Sequence, residues 1–249
     1  MLDNIKPAPS RSEEIAATLR DEILRGQYRV GERLPSERDL CSRFEASRGA
    51  VREAFKKLEQ LGITSIQPGG SRVAAIEDCT LDVLGPLLDV SDVPDAKLVD
   101  EVMHMFGILL DTAARKAMES ATESELTRAQ ELVDEILRDD IDAVEQHMAM
   151  RRLCMYFVEL ADHLVLRLTI NGLRTPVLSR MPLQQMRSKM NEPEAREIRR
   201  AFAGEIRQAL RQRDGAAVGE AMLRLNRMMR QRVATMLAAA ADGPRRAQL

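Results

Sequence analysis

The chain has 249 residues, of which 45% are hydrophobic and 31% charged, and its formal net charge is −2. This length favours two domains, and the apolar content is sufficient for a packed core. No run of about eighteen apolar residues occurs, and the N-terminal segment is polar, so we expect neither a transmembrane helix nor a signal peptide.

The three cysteines are scattered along the chain, and no CxxC motif occurs: Cys41, Cys79 and Cys154. This pattern supports neither a disulfide framework nor a zinc ribbon. It is typical of buried thiols in a reducing compartment, so we expect a cytoplasmic protein.

Residues 34–73 predict a helix–turn–helix followed by a β-hairpin. Ser36 occupies an N-cap position, and Asp39, three residues later, is placed to complete a capping box. The first of these helices is expected to run to about Arg43. Residues 44–46 then form the turn, and Ser47 is placed to cap the second helix.

The second helix has an apolar face and a polar face. Its apolar residues recur at three- and four-residue steps: Val51, Ala54, Phe55, Leu58 and Leu61. Arg48, Gly49, Arg52 and Lys56 lie mainly on the other side. Arginines at the N-terminal end of such a helix suit the reading of the major groove, because that end points at base edges and a guanidinium bonds guanine bidentately. A face that is merely solvated is the alternative reading of the same charges.

A hairpin follows the second helix. Gly62 ends the helix, and residues 63–73 alternate weakly around the turn Pro68-Gly69-Gly70. We therefore assign residues 1–75 to a winged helix–turn–helix DNA-binding domain. They hold 13 Lys and Arg against 11 Asp and Glu, a net charge of +2, and the remaining residues carry −4. The placement of the arginines, rather than the net charge, carries this prediction.

The segment from Glu14 to Val73 resembles the N-terminal domain of the GntR family of bacterial transcription regulators. The segments that match are residues 23–28, 31–40, 47–54 and 58–63. The resemblance implies that Arg38, Ser47, Arg48 and Arg52 contact phosphates and bases.

The same resemblance implies that the wing tip, with Gly69 and Gly70, enters the minor groove. Gly49 lies within the matching reading helix and is counted with the DNA-binding residues. Gly49 and Ala50 stand where some relatives carry hydroxyl side chains, and Pro68 replaces a polar wing residue, so the operator sequence stays open.

Beyond the wing the chain is predicted to be mainly α. Residues 76–96 contain Pro86 and Pro94 and are expected to form a connector. Helices are predicted over residues 97–118, 122–138, 140–161, 163–180, 193–212 and 215–240. We assign residues 97–241 to an all-helical ligand-binding and dimerisation domain, and residues 242–249 to a disordered tail.

A winged domain before an all-helical bundle resembles the FadR-like branch of the GntR family. The resemblance implies an effector-binding FCD domain, a homodimer, and ligand-dependent release from a palindromic operator in double-stranded DNA. A repressor is the expected role.

Many members of this branch hold a metal through an aspartate and three histidines. The positions that align with those ligands are Met150, Cys154, Ala203 and Leu225. Cys154 alone could touch a soft metal. The histidines of this chain lack the i, i+3 or i+4 spacing of helical metal ligands: His104, His147 and His163. We therefore expect no metal and no other cofactor.

The missing metal ligands shift the effector prediction towards apolar molecules. A small acid would need a metal or a buried arginine to offset the burial of its charge, and residues 102–110 contain no arginine. The chain has 14 methionines, whose flexible side chains suit an adaptable pocket, although ordinary core packing is the more common explanation of such residues.

Residues 81–88 and 168–174 resemble the metal-free members of the branch that respond to fatty acyl-CoA. A fatty acyl-CoA or another apolar ligand is therefore the predicted effector. Arg174, Arg180 and Arg187 are candidates to hold its phosphates, unless they are simply solvated. The candidate pocket residues are Met103, Phe106, Met150, Cys154, Tyr156, Asn171 and Arg174.

Three other functions are weighed against this one. The chain shows no GxSxG, HExxH or phosphate-binding glycine loop, so we do not expect an enzyme. A metal-independent regulator that senses a small organic acid remains open, as does an architectural DNA-binding protein without an effector. The last would need a larger positive charge than +2 on its DNA-binding domain.

Overall fold

The structure is a computed structural model that describes residues 9–180 and 192–246, with the backbone alone for residues 174–180 and 241–246. Contacts between Cα atoms divide the chain into two units, Met1–Asp92 and Val93–Leu249. The stretch expected to connect two domains therefore contributes residues 76–92 to the first unit.

Three helices and a two-stranded sheet form most of the first unit. They are α1 (Arg11–Leu24), α2 (Glu37–Phe44), α3 (Arg48–Gln60), β1 (Thr64–Gln67) and β2 (Gly70–Val73). Helix α1 has no counterpart among the helices predicted from the sequence. Ser10 and Glu13 form a capping box at its start.

The caps predicted for the helix–turn–helix are confirmed. Ser36 and Asp39 form the capping box of α2, and hydrogen bonds from Ser36 lower the pKa of the Asp39 carboxyl group. The Ala50 N–H donates to Ser47 Oγ at 3.2 Å and so starts α3. Between the two helices, Glu45 adopts a left-handed conformation with φ of 46°, which turns the chain from α2 into α3.

The predicted apolar face of α3 lies in the core of this unit. Val51, Ala54, Phe55 and Leu58 are buried there, while Leu61 packs against the core from a half-buried position. Helix α1 supplies much of the opposing surface, with Ile15 and Leu19 fully buried. The core therefore fixes which side of α3 faces the solvent.

The hairpin is antiparallel, with Thr64 opposite Val73 and Gln67 opposite Gly70. The segment before α2 pairs with its second strand: Leu34 N–H donates to the Ser71 carbonyl at 2.9 Å, and Arg33 forms an antiparallel bridge with Arg72. The wing is thus held to the start of the helix–turn–helix by main-chain hydrogen bonds.

Short helical turns at Ile76–Asp78 and Leu81–Val83 follow the wing and lead into α4 (Leu84–Leu88). Val83 is buried in the core of the first unit. Gly62, with φ of +76°, lies so close to this return that an added Cβ would be 2.8 Å from Cys79 Cα. The chain beyond the wing therefore folds back onto the end of α3.

The described part of the second unit is helical. It comprises α5 (Ala96–Ser120), α6 (Glu123–Leu137), α7 (Ala143–Leu160), α8 (Leu164–Arg180), α9 (Pro193–Gln212) and α10 (Gly215–Arg246). The mainly α architecture is confirmed. Helix α10 continues to Arg246, into the segment expected to be a tail, because the alanine run at 238–241 favours helix.

Helices α5 and α10 pack closely against each other. Glycines allow the approach, since a Cβ on Gly107 would lie 2.4 Å from the Asn226 side chain. Asn226 Nδ2 donates to the Met103 carbonyl at 2.9 Å, and Arg230 bonds Asp100 in the same interface. This helix pair forms one wall of the unit's core.

Candidate DNA-binding surface and effector cleft

The first candidate site is the exposed surface of the helix–turn–helix. Arg38 on α2 and Arg48, Gly49 and Arg52 on α3 are all solvent-exposed. The same core contacts that bury Val51 and Leu58 turn these residues outward. The structure therefore brings the predicted reading residues onto the accessible side of the two helices.

Ser47 has a structural task as the N-cap of α3. Its Oγ accepts the Ala50 N–H, and a hydroxyl also carries one donor hydrogen. The residue can hold the helix start and donate to a phosphate at the same time. Next to it, a Cβ on Gly49 would meet only Ser47 Oγ, at 3.8 Å, so the helix start leaves room for a nucleic-acid backbone.

Arg52 is oriented by a partner that the sequence analysis did not single out. Its Nε donates to both carboxylate oxygens of Glu37 on α2, at 2.9 and 3.0 Å. This hydrogen bond raises the pKa of Arg52. A guanidinium anchored through Nε can direct its two terminal nitrogens at a base edge.

The wing adds cationic side chains at its base. Arg72 Nη1 donates to the Gly31 carbonyl at 2.8 Å. A Cβ on Gly70, where φ is +132°, would lie 2.7 Å from Arg33 Nε, whereas the turn residue Gly69 has open space around it. The sequence analysis did not identify Arg33 and Arg72, because the main-chain bridge between them joins two segments that are distant in the sequence.

The second candidate site is a cleft of about 730 Å³ in the helical unit, between α7, α9 and α10. Its apolar lining includes Met150, Ile198, Leu225, Met228, Met229 and Met236. Of the predicted pocket residues, Met150 reaches the cleft. Among the other methionines of the chain, Met105 and Met148 are exposed to solvent, and Met181, Met186 and Met190 lie outside the described residues.

The other predicted pocket residues lie apart from this lining. Phe106 packs against the core of the unit, and Met103 is half-buried on α5. Tyr156 donates its hydroxyl hydrogen to the Glu125 carbonyl on α6, at 3.3 Å. Asn171 is half-buried on α8, and the side chains of Arg174, Arg180 and Arg187 lie outside the described part of the chain.

The four positions aligned with metal ligands share one apolar core: Met150, Cys154, Ala203 and Leu225. Burial raises the pKa of the Cys154 thiol to about 12, and its sulfur contacts Met222 Sδ at 3.7 Å. This thiol stays protonated at neutral pH, whereas a metal binds the thiolate. Among the described residues no three His, Cys, Asp or Glu side chains cluster as metal ligands would.

Charged residues also line the cleft, and the sequence analysis did not identify them. Arg199 on α9 is only 4% exposed, and its Nε donates to Gln146 Oε1 at 3.4 Å. Arg232 on α10 bonds Glu192 at 2.7 Å and Glu194 at 2.9 Å. Arg199 escaped notice because α9 is rich in arginines, and only the fold shows which of them points inward.

His147, also in the lining, is held neutral. Burial, with Arg151 and Arg199 nearby, lowers its pKa to about 4. The cleft therefore combines an apolar wall, a neutral imidazole, an arginine bonded to two carboxylates and a deeply buried guanidinium.

Residues 11–73 match the model of the family described as bacterial regulatory proteins, gntR family. The HTH-type transcriptional regulator Mce2R of Mycobacterium tuberculosis is 31% identical over 183 residues, which are 68% of this chain and 72% of that protein. The galactonate operon transcriptional repressor of Escherichia coli K12 is 26% identical over 221 residues, 86% of this chain and 93% of that protein.

A crystal structure of a GntR family transcriptional regulator from Pseudomonas syringae pv. tomato matches with a TM-score of 0.50 and 18% identity. The match covers 94% of this chain and 89% of that one. At this identity the likeness supports the fold alone. Over the described residues, no helix is both long enough and apolar enough to cross a bilayer.

Proposed function

Because the chain belongs to the gntR family of bacterial regulatory proteins and is a DNA-binding transcriptional regulator, we propose that it acts as a homodimeric repressor on a palindromic operator. A small-molecule effector releases it. The observation that carries the proposal is the exposed start of α3, where Ser47 caps the helix and Arg48 and Arg52 face the solvent.

We expect a dimer because the DNA-binding domain of a single chain should bind DNA only weakly. The first 75 residues carry a net charge of only +2, which supplies limited non-specific attraction to phosphate. Two DNA-binding domains on one palindrome add their contacts. The spacing between the two half-sites must then match the spacing between the two domains. An operator on the chromosome places this activity in the cytoplasm.

The helical unit supplies the effector site, and the cleft of about 730 Å³ is its candidate. This volume is within the range of small-molecule sites. Its apolar wall supports an effector with a large apolar part, of which a fatty acyl-CoA is the example predicted from the sequence. The effector acts by binding more tightly to a dimer in which the spacing of the two DNA-binding domains no longer matches the half-sites of the operator.

Selection of binding sequences from a random DNA library tests the proposal. We expect one palindrome to be enriched and native mass spectrometry of its complex to show two protein chains per duplex. Binding that does not distinguish this palindrome from a scrambled duplex would favour an architectural role instead.

Substitution of a reading arginine is the first check on the surface assignment. Arg48→Ala should weaken binding to the selected palindrome by about 1–3 kcal/mol, because a bidentate base contact is lost. Lys57→Ala, on the same helix but paired with Glu13 of α1, is the matched control. Fluorescence anisotropy measures both, and an equal loss on random DNA would show that Arg48 contacts phosphate rather than a base.

A further inference from the structure

Two arginines lie side by side on one face of the wing, although they come from distant parts of the chain. Arg33 forms an antiparallel bridge with Arg72, and Ser65 is the partner of Arg72 on the other strand. Directly paired residues of neighbouring strands point to the same face of a sheet. Thr64 and Val73 point to the opposite face and are buried, so the face that carries the two arginines is the one open to solvent.

The Arg33 side chain reaches along this face to the turn of the wing. Its Nε lies 2.7 Å from the position that a Cβ on Gly70 would occupy, and its Cζ and Nη2 lie 3.3 Å from the same position. Gly70 therefore provides the space in which the Arg33 guanidinium lies. Arg72 donates to the Gly31 carbonyl through Nη1 at 2.8 Å. A guanidinium carries five N–H donors, so Arg72 retains donors for a further acceptor.

The two positive charges repel each other, because like charges directly opposite on paired strands are destabilising. Among the described residues, neither Arg33 nor Arg72 forms an ion pair with a carboxylate. The Glu32 carboxylate, which is adjacent in sequence to Arg33, accepts the main-chain N–H of Arg29 at 2.8 Å. An anion bound by both guanidiniums would remove the repulsion.

The place of this pair in the chain identifies the anion. Arg33 comes three residues before Ser36, the N-cap of α2, and the next residue, Glu37, bonds Arg52 of α3. The chain therefore leads from the wing face into the DNA-binding helices within a few residues. Most hydrogen bonds between proteins and DNA are made to the sugar–phosphate backbone, and a guanidinium matches a phosphate with paired donors.

We propose that Arg33 and Arg72 form a phosphate clamp, in which both guanidiniums bind the backbone of the duplex that α3 reads. Gly70 keeps the space for one of them. The clamp raises affinity for every duplex and does not select a sequence, because a phosphate carries no information about its base. This inference rests on the proposed function, since it adds contacts to the same protein–DNA complex.

The salt dependence of DNA binding tests the phosphate clamp. Fluorescence anisotropy measures the affinity of the full-length protein for the selected palindrome and for a scrambled duplex at several KCl concentrations. Each phosphate contact contributes about 0.9 to the slope of log affinity against log salt concentration. Arg33→Gln and Arg72→Gln should each reduce this slope by about 0.9, and should lower affinity at physiological salt about fivefold on both duplexes alike.

Arg128→Gln is the matched control. It removes the same charge from an exposed arginine of α6, in the helical unit, where Arg128 pairs with Glu131. Its affinity and salt slope should equal those of wild type. The Tm of Arg33→Gln should be no lower than that of wild type, because the substitution removes a repulsion. Unchanged slopes in Arg33→Gln and Arg72→Gln would overturn the proposal, as would a loss of affinity confined to the palindrome.

A double-mutant cycle tests the part that Gly70 plays. A Cβ at this position displaces the Arg33 guanidinium, so Gly70→Ala should reduce the salt slope by about 0.9 in the wild-type background. In the Arg33→Gln background the same substitution should reduce the slope no further. Equal reductions in the two backgrounds would contradict the dependence of Arg33 on Gly70.

The same titrations separate the phosphate clamp from the proposed function. A wild-type protein that binds the palindrome and the scrambled duplex equally would contradict an operator-specific repressor, while the slopes of the variants on either duplex would still decide the clamp. A wild-type protein that selects the palindrome, together with unchanged slopes in the variants, would overturn the clamp and leave the regulator assignment standing.

Discussion

Arg52 and Glu37 join the two helices of the helix–turn–helix through hydrogen bonds of 2.9 and 3.0 Å. Both side chains are accessible, so the pair contributes little to the free energy of unfolding. The pair acts on the orientation of the side chain: an arginine that is already held through Nε loses less conformational entropy when it binds a base. We therefore predict that Glu37 positions Arg52 for DNA recognition.

Glu37→Gln tests this role. The neutral amide holds the guanidinium less firmly, so operator affinity should fall by about 1 kcal/mol and discrimination against a scrambled duplex should narrow. Glu53→Gln, which loosens the exposed pair with Lys56 on α3, serves as the control. Fluorescence anisotropy against both duplexes measures the effect. Tighter and equally selective binding by Glu37→Gln would show that its charge merely repels the phosphates.

At the scale of the elements, the end of α3 is fixed by the return of the chain beyond the wing. Gly62 has φ of +76° and lies against the backbone of Asp78 and Cys79. Gly26 has the same φ of +76° but has no atom within 4 Å of an added Cβ. A comparison of the two glycines therefore separates two destabilising effects of a side chain: the strain of a left-handed backbone conformation, and the clash with nearby backbone atoms.

Alanine at each position should give different losses of stability. Gly26→Ala should cost about 1 kcal/mol, because a side chain is strained in the left-handed region. Gly62→Ala should cost about 2 kcal/mol more, since the backbone atoms it meets cannot rotate away. Urea unfolding followed by circular dichroism measures both. Equal losses would mean that the segment around residue 79 does not hold this position.

At the scale of the whole molecule, the half-buried His147 makes stability depend on pH. Its pKa is lowered to about 4 in the folded protein, below the unperturbed value of about 6.5. As the pH falls below 6.5, the unfolded chain gains a proton that the folded chain does not bind. The stabilisation is therefore complete above pH 6.5 and is lost progressively as the pH approaches 4.

Between about pH 7 and pH 4.5, the free energy of unfolding should fall by about 2 kcal/mol through His147 alone. His147→Gln should flatten this dependence. Urea titrations at several pH values measure it. The pKa of the Glu13 carboxyl group is lowered from 4.5 to about 2, so the stabilisation that it provides is lost mainly at pH values below this range. An unchanged slope in His147→Gln would contradict the desolvation of this imidazole.

Local patterns were sufficient to predict the exposed face of the helix–turn–helix. The caps at Ser36 and Ser47 and the apolar spacing from Val51 to Leu58 depend on residues a few positions apart, so they can be read along the chain. Helix boundaries in the second unit follow from the same kind of signal. The DNA-contacting roles of Arg38, Arg48 and Arg52 stay predictions until they are tested on DNA.

The effector cleft could not be predicted in this way, because it depends on contacts between α7, α9 and α10. Helical periodicity marks a face as apolar but does not say which neighbour covers it. It also does not show which arginine of α9 points inward, and the sequence analysis therefore overlooked Arg199. In the same way, the pairing of Arg52 with Glu37 and of Arg33 with the wing appears only when distant segments meet.

The sequence by itself determined the mainly α class, the winged helix–turn–helix and its exposed arginines, since these follow from short-range caps, spacing and turns. Tertiary structure alone decided the location of the cleft, the burial of Arg199 and the neutral state of His147. Desolvation and charge at a buried site are set by every element packed around it, and those elements lie far apart in the chain.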